Sequence, residues 1–336
     1  MTTLTHDPAR TAPDARPSRK GPRFGGPVWL VWRQHRAAFW TLLALTLLTM
    51  LAMIYLRGQL TDYLATSPQK SLPPDIEKYT GRLFSVGSYL GYAPILAGVL
   101  IGAPLIAGDL ESGTAKLVAS QSVSRLRWLT TKLAMPAALI ALSTTALGAV
   151  FTWWWNPVRS RDVNLEWTSG VLFDVTGIMP AAYALLTFTV GAAIGMLLRR
   201  TLVSMVVTLG TVVTIGFIWD RFRLNLGHVL SVTTHKGVGP DARQPELPAG
   251  AVQQGQGTYF LTDSGARLDW TTCLDKMENT RAHTSCLESK HVIGYATDYL
   301  PISQMQPMQW LGAAIMLTAT AAIVTFIIVW GRERLL

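Results

Sequence analysis

Residues Gly87–Lys132 read GSYLGYAPILAGVLIGAPLIAGDLESGTAKLVASQSVSRLRWLTTK. From Tyr89 to Ala107 no side chain carries a charge, and then Asp109 and Glu111 arrive two positions apart. The next uncharged apolar run begins at Leu133, directly after Lys132. About 20 apolar residues cross roughly 30 Å of hydrocarbon as a helix. The stretch therefore reads as a membrane helix that delivers a compact polar element to one side of a bilayer, followed by the start of the next helix.

The same signature recurs along the chain. Uncharged apolar runs cover Ala38–Leu56, Tyr89–Ala107, Leu133–Trp155, Ile178–Leu198, Leu202–Trp219 and Met308–Trp330. Of the 336 residues, 49% are hydrophobic and only 15% charged, which suits a chain solvated mostly by lipid. The expected fold class is an all-α polytopic membrane protein with six transmembrane helices. The placement of basic residues sets the orientation. With the N-terminus cytoplasmic, the four inner segments carry +10 and the three outer ones −1, which accounts for the net +9. Both termini are then expected inside, in a multi-pass protein of the plasma (inner) membrane. The excess basic charge sits beside span ends, where its expected partner is membrane lipid and not nucleic acid.

Five regions follow. Residues 1–23 are rich in Pro, Arg, Thr and Ala without apolar periodicity, and read as a disordered basic tail near anionic lipid. Residues 24–37, with Trp29 and Trp32 beside Arg33, His35 and Arg36, suit an interfacial helix lying along the membrane surface; a plain juxtamembrane anchor is the alternative. No cleavable signal peptide is expected, because the following run is of full span length. Residues 38–219 hold the first five spans, with a cytoplasmic loop at 108–132. Residues 220–307 form a small outer subdomain, in which Thr258–Trp270 (TYFLTDSGARLDW) reads as two short strands around an Asp-Ser-Gly turn. Residues 308–336 supply the last span and a short inner tail.

Cys273 and Cys286 both fall in the outer subdomain with twelve residues between them. Outside the cytoplasm that spacing reads as a local disulfide. A zinc site would add His283 and His291, but thiols in that compartment tend to oxidise. Within the spans, Gly87, Gly91, Gly98 and Gly102 share one helical face, and Gly191 and Gly195 repeat the pattern; small-residue stripes let helices approach closely in lipid. Pro94 and Pro104 are expected to bend span two. Thr201, Ser204, Thr208 and Thr211 form a hydroxyl stripe on span five. Trp153, Trp154 and Trp155 read as an aromatic anchor at the outer interface.

Chemistry is largely absent. No Gly-x4-Gly-Lys-Ser/Thr run, His-Glu-x2-His or Gly-x-Ser-x-Gly turn occurs, so no nucleotide-binding, metal or nucleophilic motif supports an enzyme. No ionisable residue lies in the six runs, which argues against a carrier coupled to proton or sodium flow. Energy for transport is then expected from outside the chain, and the loop at 108–132 is the natural entry point.

Two motifs give this a family context. WRQHR (Trp32–Arg36) before span one, and GAPLIAGDLESGT followed by SQSVSRLRWLTTKL (within Gly102–Leu133), resemble the permease subunits of type-2 ABC exporters, most closely those of actinobacteria. The six-span layout and the large outer loop before the last span agree with that resemblance. It implies a transport subunit without catalysis of its own. A separate ATPase subunit would bind the cofactors ATP and Mg, and a second permease copy or a homologous permease would complete the path. It implies ATPase-coupling roles for Asp109, Glu111, Gly113, Thr114, Ser124 and Arg125, with Trp32, Arg33 and Arg36 in the preceding helix. The chain departs from many relatives in MQPMQWLGAA at the outer start of the last span. The expected cargo is amphipathic or lipophilic: a drug, antibiotic, peptide or lipid. A membrane sensor or scaffold, whose outer subdomain binds a peptide or antibiotic, is the alternative.

Overall fold

The structure, a computed structural model, describes residues 27–66, 76–113, 125–159, 165–238 and 242–334. Six helical segments are long and apolar enough to cross a membrane: His35–Thr66, Ile76–Glu111, Leu126–Trp155, Met179–Leu198, Thr201–Leu226 and Ile302–Glu333. They are called spans one to six. Consecutive spans run up and down, so one end of the bundle carries residues 112–113 and the described ends of the chain. The opposite end carries a β-sheet. These are the loop end and the sheet end.

Span four is the hub. In its most apolar window 67% of residues are buried, against 17% in spans one and five. It packs on spans two, three, five and six, whereas span one rests mainly on span three. Two apolar clusters fill the bundle. One, around Phe151, Trp154, Trp155, Phe173 and Met179, occupies the sheet end; the other, around Ile106, Trp128, Leu129, Phe188 and Met196, occupies the loop end.

Span one is part of a single helix, Pro27–Thr66. The expected separate surface helix at 24–37 is, over its described residues, the beginning of that helix. The reason is local: no glycine or proline occurs between Val28 and Arg57, so nothing interrupts the hydrogen-bond ladder that Pro27 opens. Forty residues make a helix of about 60 Å, twice the hydrocarbon thickness.

Span two is broken where its prolines fall. The helix Ile76–Gly91 ends in a turn at Tyr92, a short helical turn Ala93–Leu96 follows, and Ala97–Gly102 is π-helical before Ala103–Glu111 resumes the α form. Pro94 and Pro104 each lack an N–H, which removes a rung of the ladder. The Thr187 hydroxyl of span four donates to the Pro94 carbonyl at 2.6 Å. Span three ends differently from expectation too. Trp154 and Trp155 are 1% and 2% exposed, and only Trp153 faces outward, under the Arg57 guanidinium at 3.6 Å from the ring centroid. Three consecutive residues point some 100° apart around a helix, so they cannot all meet the interface.

Between spans five and six the chain is not purely helical. Strands β1 (Leu230–Thr234), β2 (Val252–Thr262), β3 (Arg267–Leu268) and β4 (Val292–Leu300) form an antiparallel sheet in the order β1-β4-β2-β3. The expected hairpin is β2–β3, turning at Asp263-Ser264-Gly265, where Gly265 takes φ +81°. Helix Thr280–Ser289 starts at Asn279, whose side chain accepts from the N–H groups of Arg281 and Ala282. Cys273 and Cys286 are disulfide-bonded, with Cα atoms 6.1 Å apart, and tie this helix to the turn after β3. Both thiols are consumed, which removes the zinc alternative. Phe260, Leu287 and Val292 form a small core of their own, while Val252 and Leu300 join the bundle's sheet-end cluster.

Candidate functional site

At the loop end, the last helix of span two carries Asp109 and Glu111 out of the bundle. It stops as its sequence dictates. Ser112 ends the helix, its N–H and hydroxyl both donating to the Gly108 carbonyl at 3.0 and 2.7 Å. Gly113 then takes φ +72°, the left-handed conformation that glycine adopts just past a helix terminus. Thr114 and Ser124 lie outside the described residues. Arg125 opens the next helix, and its side chain is likewise outside them.

The two acids each bond to a different span. Asp109 is 6% exposed and forms an ion pair with Lys132 of span three, which is 0% exposed. The Lys132 ammonium also lies 5.2 Å from the centroid of the Trp128 ring, one turn earlier on the same helix. His35 of span one sits within electrostatic reach of both charges, and its Nε2 is buried with no partner among the described residues. Glu111 is exposed, but its Oε2 accepts from the Thr201 N–H at 2.8 Å. That N–H is one of the orphan donors at the start of span five, so Glu111 supplies the cap that Arg200, at the N-cap position, does not. Within three residues, the sequence Asp109-Leu110-Glu111 thus joins the exit of span two to the entries of spans three and five.

The aromatic–basic stretch of span one flanks this end. Trp32 is half-buried, with ring centroids 5.6 Å from Phe39 and 6.1 Å from Trp40. Arg33 and Arg36 are exposed, and Arg33 lies 5.1 Å from the centroid of the Trp29 ring.

The glycines do several different things. A Cβ on Gly98 would come within 2.8 Å of the Thr187 carbonyl oxygen, and one on Gly102 would collide with that of Phe188. Reciprocally, Gly191 and Gly195 face the carbonyls of Gly98 and Ala103. These four let the π-helical part of span two lie backbone to backbone on span four. Gly87 instead meets Val171 and Phe151, and Gly91 has open space around it. On span five, Ser204 and Thr208 are fully buried; the Ser204 hydroxyl donates to the Thr201 carbonyl at 2.8 Å.

Lys132 and its role escaped the sequence reading, which placed it at the edge of span three. The signal was available: an acid at the exit of one helix and a base at the entry of the next stand at equal depth in an antiparallel pair. Among the described residues no three His, Cys, Asp or Glu side chains cluster as metal ligands. Through Asp109 and Glu111 the described stem of the loop is tied to spans three and five.

Compared with known families, residues 37–223 match the model described as ABC-2 membrane transporter related, which covers more than half of the chain and spans one to five. No curated protein and no solved structure matches the chain.

Proposed function

The chain belongs to the ABC-2 membrane transporter related family, and from that premise we propose that it is the permease subunit of an ATP-driven exporter. Its fuel is ATP hydrolysed, with Mg, on a separate ATPase subunit. A second permease copy or a homologous permease completes the path, and the cargo is amphipathic or lipophilic. The termini and the loop end face the cytoplasm, and the disulfide-bonded sheet faces outward. The charge asymmetry between the two sides supports that placement, and a disulfide suits an oxidising compartment.

One observation carries the coupling part of this reading: Asp109 and Glu111 fasten the loop's entry to spans three and five. A partner gripping residues 112–124 would hold three spans by one handle, and exposed Arg33 and Arg36 offer it further contacts. Docking contacts then belong to the loop itself and to the start of span one, while Asp109 positions the loop from within.

The test is to co-express the chain with candidate ATPase subunits of its host and isolate the complex. Charge reversal at Arg36 and Arg125 is expected to weaken complex formation while leaving the permease monodisperse. Undiminished binding by both variants would sink the docking surface.

A further inference from the structure

The segment joining spans three and four, Asn156–Gly177, reads from the sequence as a second outer segment, partly suited to the interface. Connecting segments normally run over a surface, because buried backbone needs partners. Here Trp167, Thr168, Leu172, Phe173, Val175 and Thr176 are each 5% exposed or less, so the segment is inserted into the sheet end of the bundle. Two spans supply the missing partners. From span six, the Gln309 amide donates to the carbonyls of Phe173 and Thr176 at 2.9 and 3.2 Å, and to the Thr176 hydroxyl at 2.8 Å. From span five, Arg223 donates to the Thr168 carbonyl at 3.1 Å.

Asp174 is the acid at the packed face of the segment, whose other described acid, Glu166, is exposed. The Asp174 carboxylate accepts from the Trp219 indole N–H at 2.7 Å and from Arg223 at 3.4 Å. Arg223 is shared with Asp220. Behind Asp174 lies a cavity of about 20 Å³, bordered by Pro94 of span two, Leu147 of span three and Tyr183 of span four. That is room for a water molecule. The inserted segment therefore sits where spans two to six converge, fastened to two of them by side chains that would have to let go for it to leave.

We propose that residues 165–178 form the gate at the sheet end of the transport path, and that Asp174 is its proton-sensitive fastening, with the acid form holding the gate closed. Linkage sets the direction. Burial outweighs the favourable bonds from Trp219 and Arg223 and pushes the Asp174 carboxyl up to about 6, whereas a hydrated aspartate titrates near 3.9. The inserted state binds the proton more tightly, so acid favours insertion and rising pH favours release. The titratable and charged groups around Asp174 are Arg223 and Asp220 on span five and the Tyr183 hydroxyl on span four. Spans two and three border the cavity with uncharged residues only, and span six contributes the neutral Gln309.

The gating role rests on the transport reading, but its test needs neither ATP nor a partner. Both native cysteines are in the disulfide, so Val175→Cys places a single free thiol on the segment. In lipid nanodiscs, its labelling rate with a soluble maleimide is measured at pH 7.5 and 5.0, each normalised to the unfolded chain at the same pH. The expected normalised rate is about tenfold lower at pH 5.0. Adding Asp174→Asn should fix the rate at the low value at both pH values, and adding Gln309→Ala should raise it at both. Hydrogen exchange of residues 165–178 in the unsubstituted chain, corrected for intrinsic rates, gives a second measurement and should slow about tenfold over the same interval. Labelling and exchange that do not change with pH, or a pH response that survives in Asp174→Asn, would overturn the proposal. Failed ATPase coupling with intact pH-dependent protection would instead count against the exporter reading alone.

Discussion

Replacing Lys132 by methionine keeps most of its volume and removes its charge. In the native fold Lys132 is 0% exposed and Asp109 is 6% exposed, so water cannot reach in to solvate the carboxylate that remains. Removing one partner of a buried pair costs about 3–5 kcal/mol, because the remaining charge loses its ion pair where water does not reach. In a domain of this size that lowers the thermal midpoint by roughly 5–10 °C. The double variant Asp109→Leu/Lys132→Met removes both charges and should recover most of the loss, since apolar replacement of a buried pair is often neutral or better. Differential scanning fluorimetry on the purified chain in detergent, run as a double-mutant cycle, reads both numbers. A single-variant shift of about 1 °C, or a double variant no more stable than either single, would refute the claim that this pair fixes the stem of the loop.

Other substitutions test the packing and the sheet. Gly102→Ala should cost about 1–3 kcal/mol, because its Cβ meets the Phe188 carbonyl. Gly91→Ala, which meets nothing, should be neutral or stabilise by up to about 1 kcal/mol; the same melting assay separates the two. Glu111→Gln weakens the cap on span five that Thr201 receives, so ATPase stimulation should fall while the melting midpoint barely moves. Removing the disulfide with Cys273→Ala/Cys286→Ala should cost the sheet region about 3 kcal/mol for a loop of this length. Faster hydrogen exchange in β2 and β4 would show this loss, with the six spans unaffected. Asp174 contributes stability that is fully present below the unfolded pKa and is lost as pH rises through about 6. The unsubstituted chain should therefore lose more stability than Asp174→Asn between pH 4 and 7, by about 2 kcal/mol.

The spans were legible because hydrocarbon thickness imposes a length and excludes charge, and both constraints show in single-sequence composition. Their ends were not, because Pro27 and the uninterrupted residues after it extend span one well beyond its apolar run. The β2–β3 hairpin was visible through its Asp-Ser-Gly turn, but β1 pairs with β4 in the register Leu230↔Tyr299. No local signal joins segments that distant. Pro94 and Pro104 announced a disturbance in span two without specifying a π-helix, whose geometry is settled by contact with Thr187 and Phe188. At the loop end, the motif marked Asp109 and Glu111 as important; only the fold shows Asp109 buried against Lys132 and the exposed Glu111 bonded to Thr201. The sheet-end segment was hardest to read. Trp167, Leu172 and Phe173 suit an interface as well as an interior, and what decides between them is Gln309 and Arg223 arriving from more than 45 residues away.

The central claim is that this chain turns a partner's ATP hydrolysis into movement of its spans. The direct measurement is ATP hydrolysis by the purified partner subunit, alone and with the permease in lipid nanodiscs. Complex formation and a several-fold rise in hydrolysis are expected with the unsubstituted chain. Glu111→Lys and Lys132→Met should reduce the rise without abolishing assembly. A stable complex whose hydrolysis is indifferent to both substitutions would contradict the account.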